Sequence, residues 1–419
     1  MAYAYNPPMA KLTQREVERR LGLRTVDPHE LAWVIASVVQ QSQFTTELQV
    51  DLFSRPDSHV LTLCYSKKGG LRAIIPGTGL TEQILAEIEN QVKTTLLAST
   101  TTIVHRMPLF AHVPTEGYWR YRDKLVIRRA PDEAPRPEMV RGEHPLIFEV
   151  EFNGSTDWQL RHMRALQEPR QLALLLSLVV PGLTVPPIST RRHWMLNTTP
   201  GIMRSEWAQE TYFIPNFDGY ADELSHPGDL PPIELVASMP SGVRTDQVLV
   251  LPEDLEQKLD TFMRLDGDDR ARLLRAAYWL HHAREVWDIS KSAYFQSLVQ
   301  AVEAMLKYPR HRERCTECEA YARGEGPVAY FRRFIDRYAP MRDEHDEDER
   351  KTRKLLYDKR SELTHGTSLL STDDEIGFVW QTPKPSYESQ LSSEAQRVCR
   401  QAIIGWLEEQ CLSLYAAEG

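Results

Sequence analysis

From residue 251 to the end of the chain, apolar side chains return at three- and four-residue spacing in one segment after another. Such residues bury together when the segments are helices packed as a bundle. Pro252 opens a segment carrying Leu255, Leu259, Phe262 and Met263. Residues 268–287 keep Leu274, Ala277, Tyr278 and His281 in step, and residues 291–306 do the same with Tyr294, Phe295, Leu298, Val299, Val302, Met305 and Leu306. Further helices are expected at 326–338 and 350–366, and 391–414 closes the chain with Val398, Ala402, Ile403 and Trp406. Residues 371–386 between the last two hold a strand-like IGFVW and a proline-rich loop.

Before residue 250 the texture is different. Thr13 and Glu16 have capping-box spacing and open a short helix ending near Gly22. Pro28, at a first-turn position, starts a second helix reaching about residue 41. Residues 46–53 and 59–65 alternate polar and apolar around an RPDS turn, which predicts a hairpin. The stretch PGTGLT lacks the Gly-Lys-Ser/Thr ending of a phosphate loop and reads as a strand–turn–helix connection into a helix over 81–97. Strands are expected at 101–105, 125–129, 146–152 and 233–239. A helix over 158–180 is interrupted by Pro169, and 181–232 reads as irregular structure, with room for one or two strands. The expected fold class is an α+β N-terminal region, residues 1–250, followed by an all-α helical bundle, residues 251–419.

A net charge of −9 argues against a protein that coats nucleic acid without specificity, yet leaves room for a local basic patch. Five cysteines, two of them in CxxC spacing, do not form a secreted disulfide framework. The first twenty residues lack the basic-then-apolar order of a signal peptide, and the longest apolar run, near 172–180, is too short to span a bilayer. A soluble, cytoplasmic protein is expected.

The stretch RKTRKLLYDKRSELTHG, residues 350–366, concentrates the chemistry. It has no Gly or Pro until Gly366, which stands where a helix-terminating glycine belongs. Wound at about 100° per residue, Thr352, Leu355, Leu356, Lys359 and Leu363 gather as a thin core-facing stripe. Arg353, Tyr357, Arg360 and Thr364 flank it, and Lys354, Ser361 and His365 fall opposite. The last helical turn carries partial negative charge that favours an imidazolium at His365. Arg360, five residues earlier, offers a planar cation suited to a phosphate. An arginine and a histidine near a helix end, with the Ser361 hydroxyl between them, can cleave RNA without a metal. The histidine moves the 2′-hydroxyl or leaving-oxygen proton, and the arginine stabilises the charged phosphorane. Without its surroundings, the same pattern is a basic helix face ending in a solvated histidine.

The order RSELTHG after SAYFQSLVQAVEAML, a CxxC insertion, FRRFIDRYAP and LLYDKRSELTHG resembles the Apea-like HEPN domain family of the HEPN ribonuclease superfamily, with its R-x(4–6)-H signature. The resemblance covers about the last 170 residues. It implies an all-α HEPN-type bundle and a metal-independent endoribonuclease that leaves a 2′,3′-cyclic phosphate. It also implies a homodimer or higher homo-oligomer with two motifs meeting at the interface, and a role in anti-phage defence or abortive infection by cutting tRNA or mRNA. Arg360 and His365 would be catalytic, with Ser361, Tyr357 and Glu303 supporting and Arg350, Lys351, Arg353 and Lys354 contacting RNA. The N-terminal region would restrain the nuclease or sense a phage-derived or protein trigger. This chain has Ser361 directly after the arginine, where many active members carry Asn, Asp or His. The alternative expectation rests there: a catalytically inactive HEPN module for oligomerisation or for RNA or nucleotide binding.

Other constellations carry weaker chemistry. His311, Cys315 and Cys318 have zinc-ligand types and a knuckle spacing for a structural zinc, with Cys399, His345 or another histidine as a fourth ligand supplied by the fold; reduced surface cysteines are the alternative. The acidic run DEHDEDE, residues 343–349, reads as a solvated helix start. His281 and His282 read as a partly buried pair. Glu149 and Glu151 alternate on a strand and read as a solvent-facing edge.

Overall fold

A computed structural model describes residues 12–418, apart from 40, 67–69, 99, 132–143, 186–191, 198–203, 210–218, 238–247, 288, 308–325, 342–346 and 375–382. The chain is a mixed α and β protein, with antiparallel sheets in its N-terminal part and helices in its C-terminal part. It forms two compact units. One comprises residues 1–104 and 151–167, and the other comprises 105–150 and 168–419. The units therefore divide at three points in the chain, none of them at the change of texture near residue 250.

In the first unit, α1 (Gln14–Arg20) starts at Thr13, whose hydroxyl accepts from the Glu16 amide as the capping pattern predicts. The α2 helix (Pro28–Val38) is capped by Asp27 and stops short of residue 41, because the next residues pair as a strand. Strands β1 (Gln41–Thr46), β2 (Gln49–Arg55), β3 (Ser58–Tyr65) and β4 (Leu71–Pro76) form an antiparallel meander, of which the expected hairpin is the middle pair. Thr81 caps α3 (Glu82–Val92), which runs on into a π-helical stretch, Lys93–Ala98. Leu31, Ile35, Leu61, Ile74, Leu85 and Ile88 are core residues of this unit. The buried Glu30 takes a bidentate ion pair from Arg164 at 2.7 Å on both nitrogens.

Strands β5 (Thr100–Ala111) and β8 (His144–Ser155) and helix α4 (Trp158–Val179) each have residues in both units. With β6 (Tyr118–Tyr121), β7 (Leu125–Arg129), β9 (Leu183–Thr184) and β12 (Gly219–Ala221), the two strands make a six-stranded sheet; β10 (Arg192–Asn197) and β11 (Arg204–Gln209) pair separately. Within the second unit, Trp119, Tyr121, Leu125, Ile127, Phe148 and Val150 belong to one core with apolar residues of α4 from Leu172 to Val179. The helix passes through Pro169 without a break, contrary to the expected interruption. A proline inside a helix costs about 3 kcal/mol, whereas burying one leucine returns about 1.5–3 kcal/mol. Leu172, Leu174, Leu175, Leu176 and Leu178 are all buried, so packing prevails.

The short pair β13 (Leu235–Val236) and β14 (Leu251–Pro252) leads into helices. These are α5 (Leu255–Arg264), α6 (Gly267–Val286), α7 (Lys291–Met305), α8 (Pro327–Tyr338), α9 (Glu347–Thr364), the single turn α10 (Ser371–Asp374) and α11 (Pro383–Glu418). Phe295, Leu298, Val302, Phe331, Leu356 and Ile403 are among their fully buried side chains, as the helical period requires. The same apolar cluster takes in the sheet residues named above. The IGFVW segment lies outside the described residues. Among the described residues, no helix is long and apolar enough to cross a membrane.

Candidate functional site

Helix α9 ends in a two-bond glycine cap. Gly366 has φ +65°, its amide donates to the Leu363 carbonyl at 3.2 Å, and the Thr367 amide donates to the Glu362 carbonyl at 3.0 Å. These are the two bonds of a Schellman motif, which only a residue tolerant of the left-handed region closes without strain. His365 therefore sits at the last position before the reversal, with its amide held by the Ser361 carbonyl at 3.1 Å and its ring exposed.

The helix is rotated from the expected stripe. Leu355 is 39% exposed, whereas Arg353 and Tyr357, assigned to the flanks, are buried with Leu356 and Leu363. The buried line is 353, 356, 357 and 363, with the half-buried 349 and 360 at its edges, again at three- and four-residue spacing. Carboxylates of the helix itself and of α8 accept the arginine on the inner side: Arg353 is paired with Glu349 at 2.7 Å and lies 3.6 Å from Asp336, and Glu349 also takes Arg397 at 3.1 Å. Arg353 is consequently an internal ion-pair member and not a phosphate contact; Lys354, Arg350 and Lys351 remain exposed, with Arg350 paired to Glu347 at 2.9 Å.

Arg360 lies at the margin of the buried side. Its Nη2 meets Glu303 Oε1 of α7 at 2.6 Å, and its guanidinium carbon stands 5.7 Å from the centre of the Tyr357 ring. Tyr357 in turn tilts against Phe331 of α8 at 5.4 Å. Of the two readings of Glu303, orienting carboxylate or solvated flank, the geometry has the carboxylate on Arg360. Tyr357 acts as the wall beneath the cation. Ser361 is half-buried one position further round the helix.

Beyond the cap, the chain returns along α7. Lys359 pairs with Glu362 at 3.1 Å, and Ser368 donates to the same carboxylate at 3.0 Å. The Lys359 hydrogen bond, then that of Ser368, holds Glu362 below the usual carboxylate range. The Leu370 amide donates to Ser292 Oγ at 2.8 Å. Asp373 accepts from Ser290 Oγ and from the Lys291 and Ser292 amides at 2.7–2.9 Å. Burial pushes the Asp373 carboxyl upward, but those hydrogen bonds outweigh it and set its pKa below the ordinary value. His365 is thus fixed between two tethers to α7, Arg360–Glu303 before it and Leu370–Ser292 after it.

Arg360 is paired with Glu303 on the inner margin, while His365 is exposed at the helix end. Arg332, Arg333 and Arg337 of α8 add an exposed basic face that the sequence reading did not assign; Arg337 is paired with Glu409, and Asp336 sits among them. Their signal was the i, i+1, i+5 arginine spacing on a helix whose Phe331, Phe334 and Ile335 are buried.

His311, Cys315 and Cys318 lie outside the described residues, as does His345. Cys399 is fully buried, and burial pushes its thiol to about 12. Among the described residues, no group of three or more His, Cys, Asp or Glu is arranged to hold a metal ion. Of the acidic run, Glu347 and Glu349 open α9 and both pair with arginines, while 343–346 lie outside the described residues. His281 is buried, and His282 stacks on Tyr278 at 6.1 Å.

Glu149 is a correction. It is wholly buried rather than solvent-facing. Arg128 donates to Oε1 at 3.2 Å from two nitrogens, Arg106 lies 3.2 Å away, and Ser225 donates from its amide at 2.7 Å and its hydroxyl at 2.6 Å. The strand has one face on the apolar core and the other under the segment around Ser225, and only a carboxylate with these donors tolerates that burial. Glu151 is half-buried.

No protein-family model matches the chain, and neither a curated protein nor a solved structure matches it.

Proposed function

We propose that this chain is a metal-independent endoribonuclease of the HEPN type, with Arg360 and His365 as its catalytic groups and tRNA or mRNA as substrate. The observation that carries the reading is the placement of His365: an exposed imidazole on a glycine-capped helix end, tethered on both sides to α7, five residues from an arginine oriented by Glu303 and Tyr357. Such a histidine takes the 2′-hydroxyl proton or returns one to the leaving 5′-oxygen. The 2′-oxygen attacks phosphorus, the P–O5′ bond breaks, and a 2′,3′-cyclic phosphate and a 5′-hydroxyl result. The arginine neutralises the phosphorane, which requires its second guanidinium edge, since one nitrogen is engaged by Glu303. With His365 exposed at the end of α9, two copies would bring two motifs together in a homodimer. The exposed Lys354, Arg350 and Lys351 and the α8 arginines would hold the RNA backbone. Anti-phage defence by growth arrest, with the N-terminal region sensing a trigger, is the role this activity suits.

A specific observation favours a second reading. The inward pairing of Arg360 with Glu303 at 2.6 Å also serves a catalytically silent HEPN module that dimerises and binds RNA or nucleotide.

Purified protein incubated in EDTA with total tRNA and a structured mRNA distinguishes them, beside His365→Ala. The expected outcome is discrete cleavage by the wild type, cyclic phosphate ends, and a loss of at least 100-fold in the variant. RNA binding by both proteins with cleavage by neither supports the silent module. Equal cleavage by both removes His365 from the reaction.

A further inference from the structure

Between Asp269 and Glu285, helix α6 carries Arg270, Arg272, Arg275 and Arg284 and no carboxylate. Three of these arginines are engaged: Arg270 on the Met263 carbonyl, Arg272 on Asp269 and the Met305 carbonyl, and Arg284 on the Leu183 carbonyl. Arg275 is exposed, and its guanidinium makes no hydrogen bond or ion pair among the described residues. Tyr278, Trp279 and His282 follow it on the same side of the helix, at i+3, i+4 and i+7. The Tyr278 and His282 rings are parallel within 3° with their centres 6.1 Å apart, and Trp279 meets both edge-on at 5.7 and 5.6 Å. Trp279 also packs on the core beneath, so the rings are braced from below. Tyr278 is 43% exposed.

A second cation flanks the rings. Arg170, in the second-unit part of α4, stands near Tyr278 and Glu285; burial lowers its pKa, and those two groups act to raise it. Its guanidinium likewise makes no hydrogen bond or ion pair among the described residues. Glu285, the acid of this face, lies beyond His282, away from Arg275. Residues 287–290 join α6 to α7 as a helical hairpin, which puts the C-terminal half of α6 at the N-terminal end of α7. To that same end Leu370 and Asp373 tie the chain that leaves His365.

The chemistry of the face selects its ligand. On a chain of net charge −9, two unpaired guanidiniums form a local anion-attracting patch. An open tyrosine braced by a tryptophan offers a π-face beside them. An acidic peptide uses the charge alone, and a nucleic-acid duplex keeps its bases stacked on each other. A single strand uses both, because each of its bases has a π-face and each linkage a negative charge. We propose that the face formed by Arg275, Tyr278 and His282, with Arg170 beside it, is a stacking platform for single-stranded RNA. Tyr278 takes a base and the two arginines take the flanking phosphates. The inference rests on the ribonuclease reading and places on α6 the strand that extends from His365.

The test is binding of a fluorescent 2′-O-methyl oligoadenosine to the full chain, read by anisotropy beside an abasic strand of equal length. Such strands lack the attacking hydroxyl and are not cleaved. Tyr278→Ala is expected to bind oligoadenosine about tenfold more weakly, with little change on the abasic strand, and Tyr278→Phe to bind as the wild type does. Arg275→Gln is expected to weaken both strands and to reduce the slope of log affinity against log salt by about 0.7. Should Tyr278→Ala melt early, Arg275→Gln and Tyr278→Phe carry the comparison. Equal affinity of the wild type and Tyr278→Ala for oligoadenosine, or an equal loss on the abasic strand, would overturn the proposal and leave the face to a protein partner. A chain that cleaves RNA and shows that equality keeps the ribonuclease reading and loses the platform. A chain that stacks the strand without cleaving RNA keeps the platform and loses the ribonuclease reading.

Discussion

Gly366 isolates a single residue's contribution to the site. A Cβ added there meets nothing within 4 Å, so substitution costs only the left-handed backbone conformation. Gly366→Ala is expected to lose about 1 kcal/mol in urea unfolding, and on the proposed ribonuclease reading to slow cleavage as the last turn carrying His365 frays. Unchanged stability would mean that the Schellman bonds form without the glycine. Both His365 and its cap were legible in the sequence, since a cap is a contact within six residues. The partner of Arg360 was only half legible. Glu303 was one of several carboxylates able to reach it, and nothing local said that α7 lies alongside α9.

Among the elements, α7 is the brace of the candidate site, holding Arg360 near its C-terminal end and residues 370–373 at its N-terminus. Asp373 closes that N-terminus by accepting from two of its free amides. Asp373→Ala is expected to cost about 1–2 kcal/mol. The carboxyl's pKa is lowered in the fold, so its contribution is complete above the unfolded carboxylate value and is lost as pH falls through the lower folded value. Urea midpoints at pH 7 and pH 3 should therefore converge between wild type and Asp373→Asn at the acid end; a constant gap would place the stabilisation elsewhere. Helix identities were readable from their period, but the continuity of α4 through Pro169 was not. Proline's local penalty is visible in the sequence, and the burial that outweighs it is not.

For the molecule as a whole, the Glu149 network joins three strands to the segment around Ser225. Glu149→Leu leaves Arg106 and Arg128 without their shared carboxylate and is expected to cost about 3–5 kcal/mol, read as a fall in the urea midpoint. A loss below about 1 kcal/mol would indicate that the arginines reach water instead. Hydrophobic period and capping residues were enough to determine, from sequence alone, α5 to α9, the body of α11, the β2–β3 hairpin and the end of α9, but not the single turn α10 or the start of α11 at Pro383. These depend on residues within a few positions of one another. Tertiary structure alone decided that Glu149 is interior, that Arg353 is buried while Leu355 is exposed, and that the compact units divide away from residue 250. Each depends on how distant segments pack together, and a buried charge is tolerated only where a counter-charge is at hand.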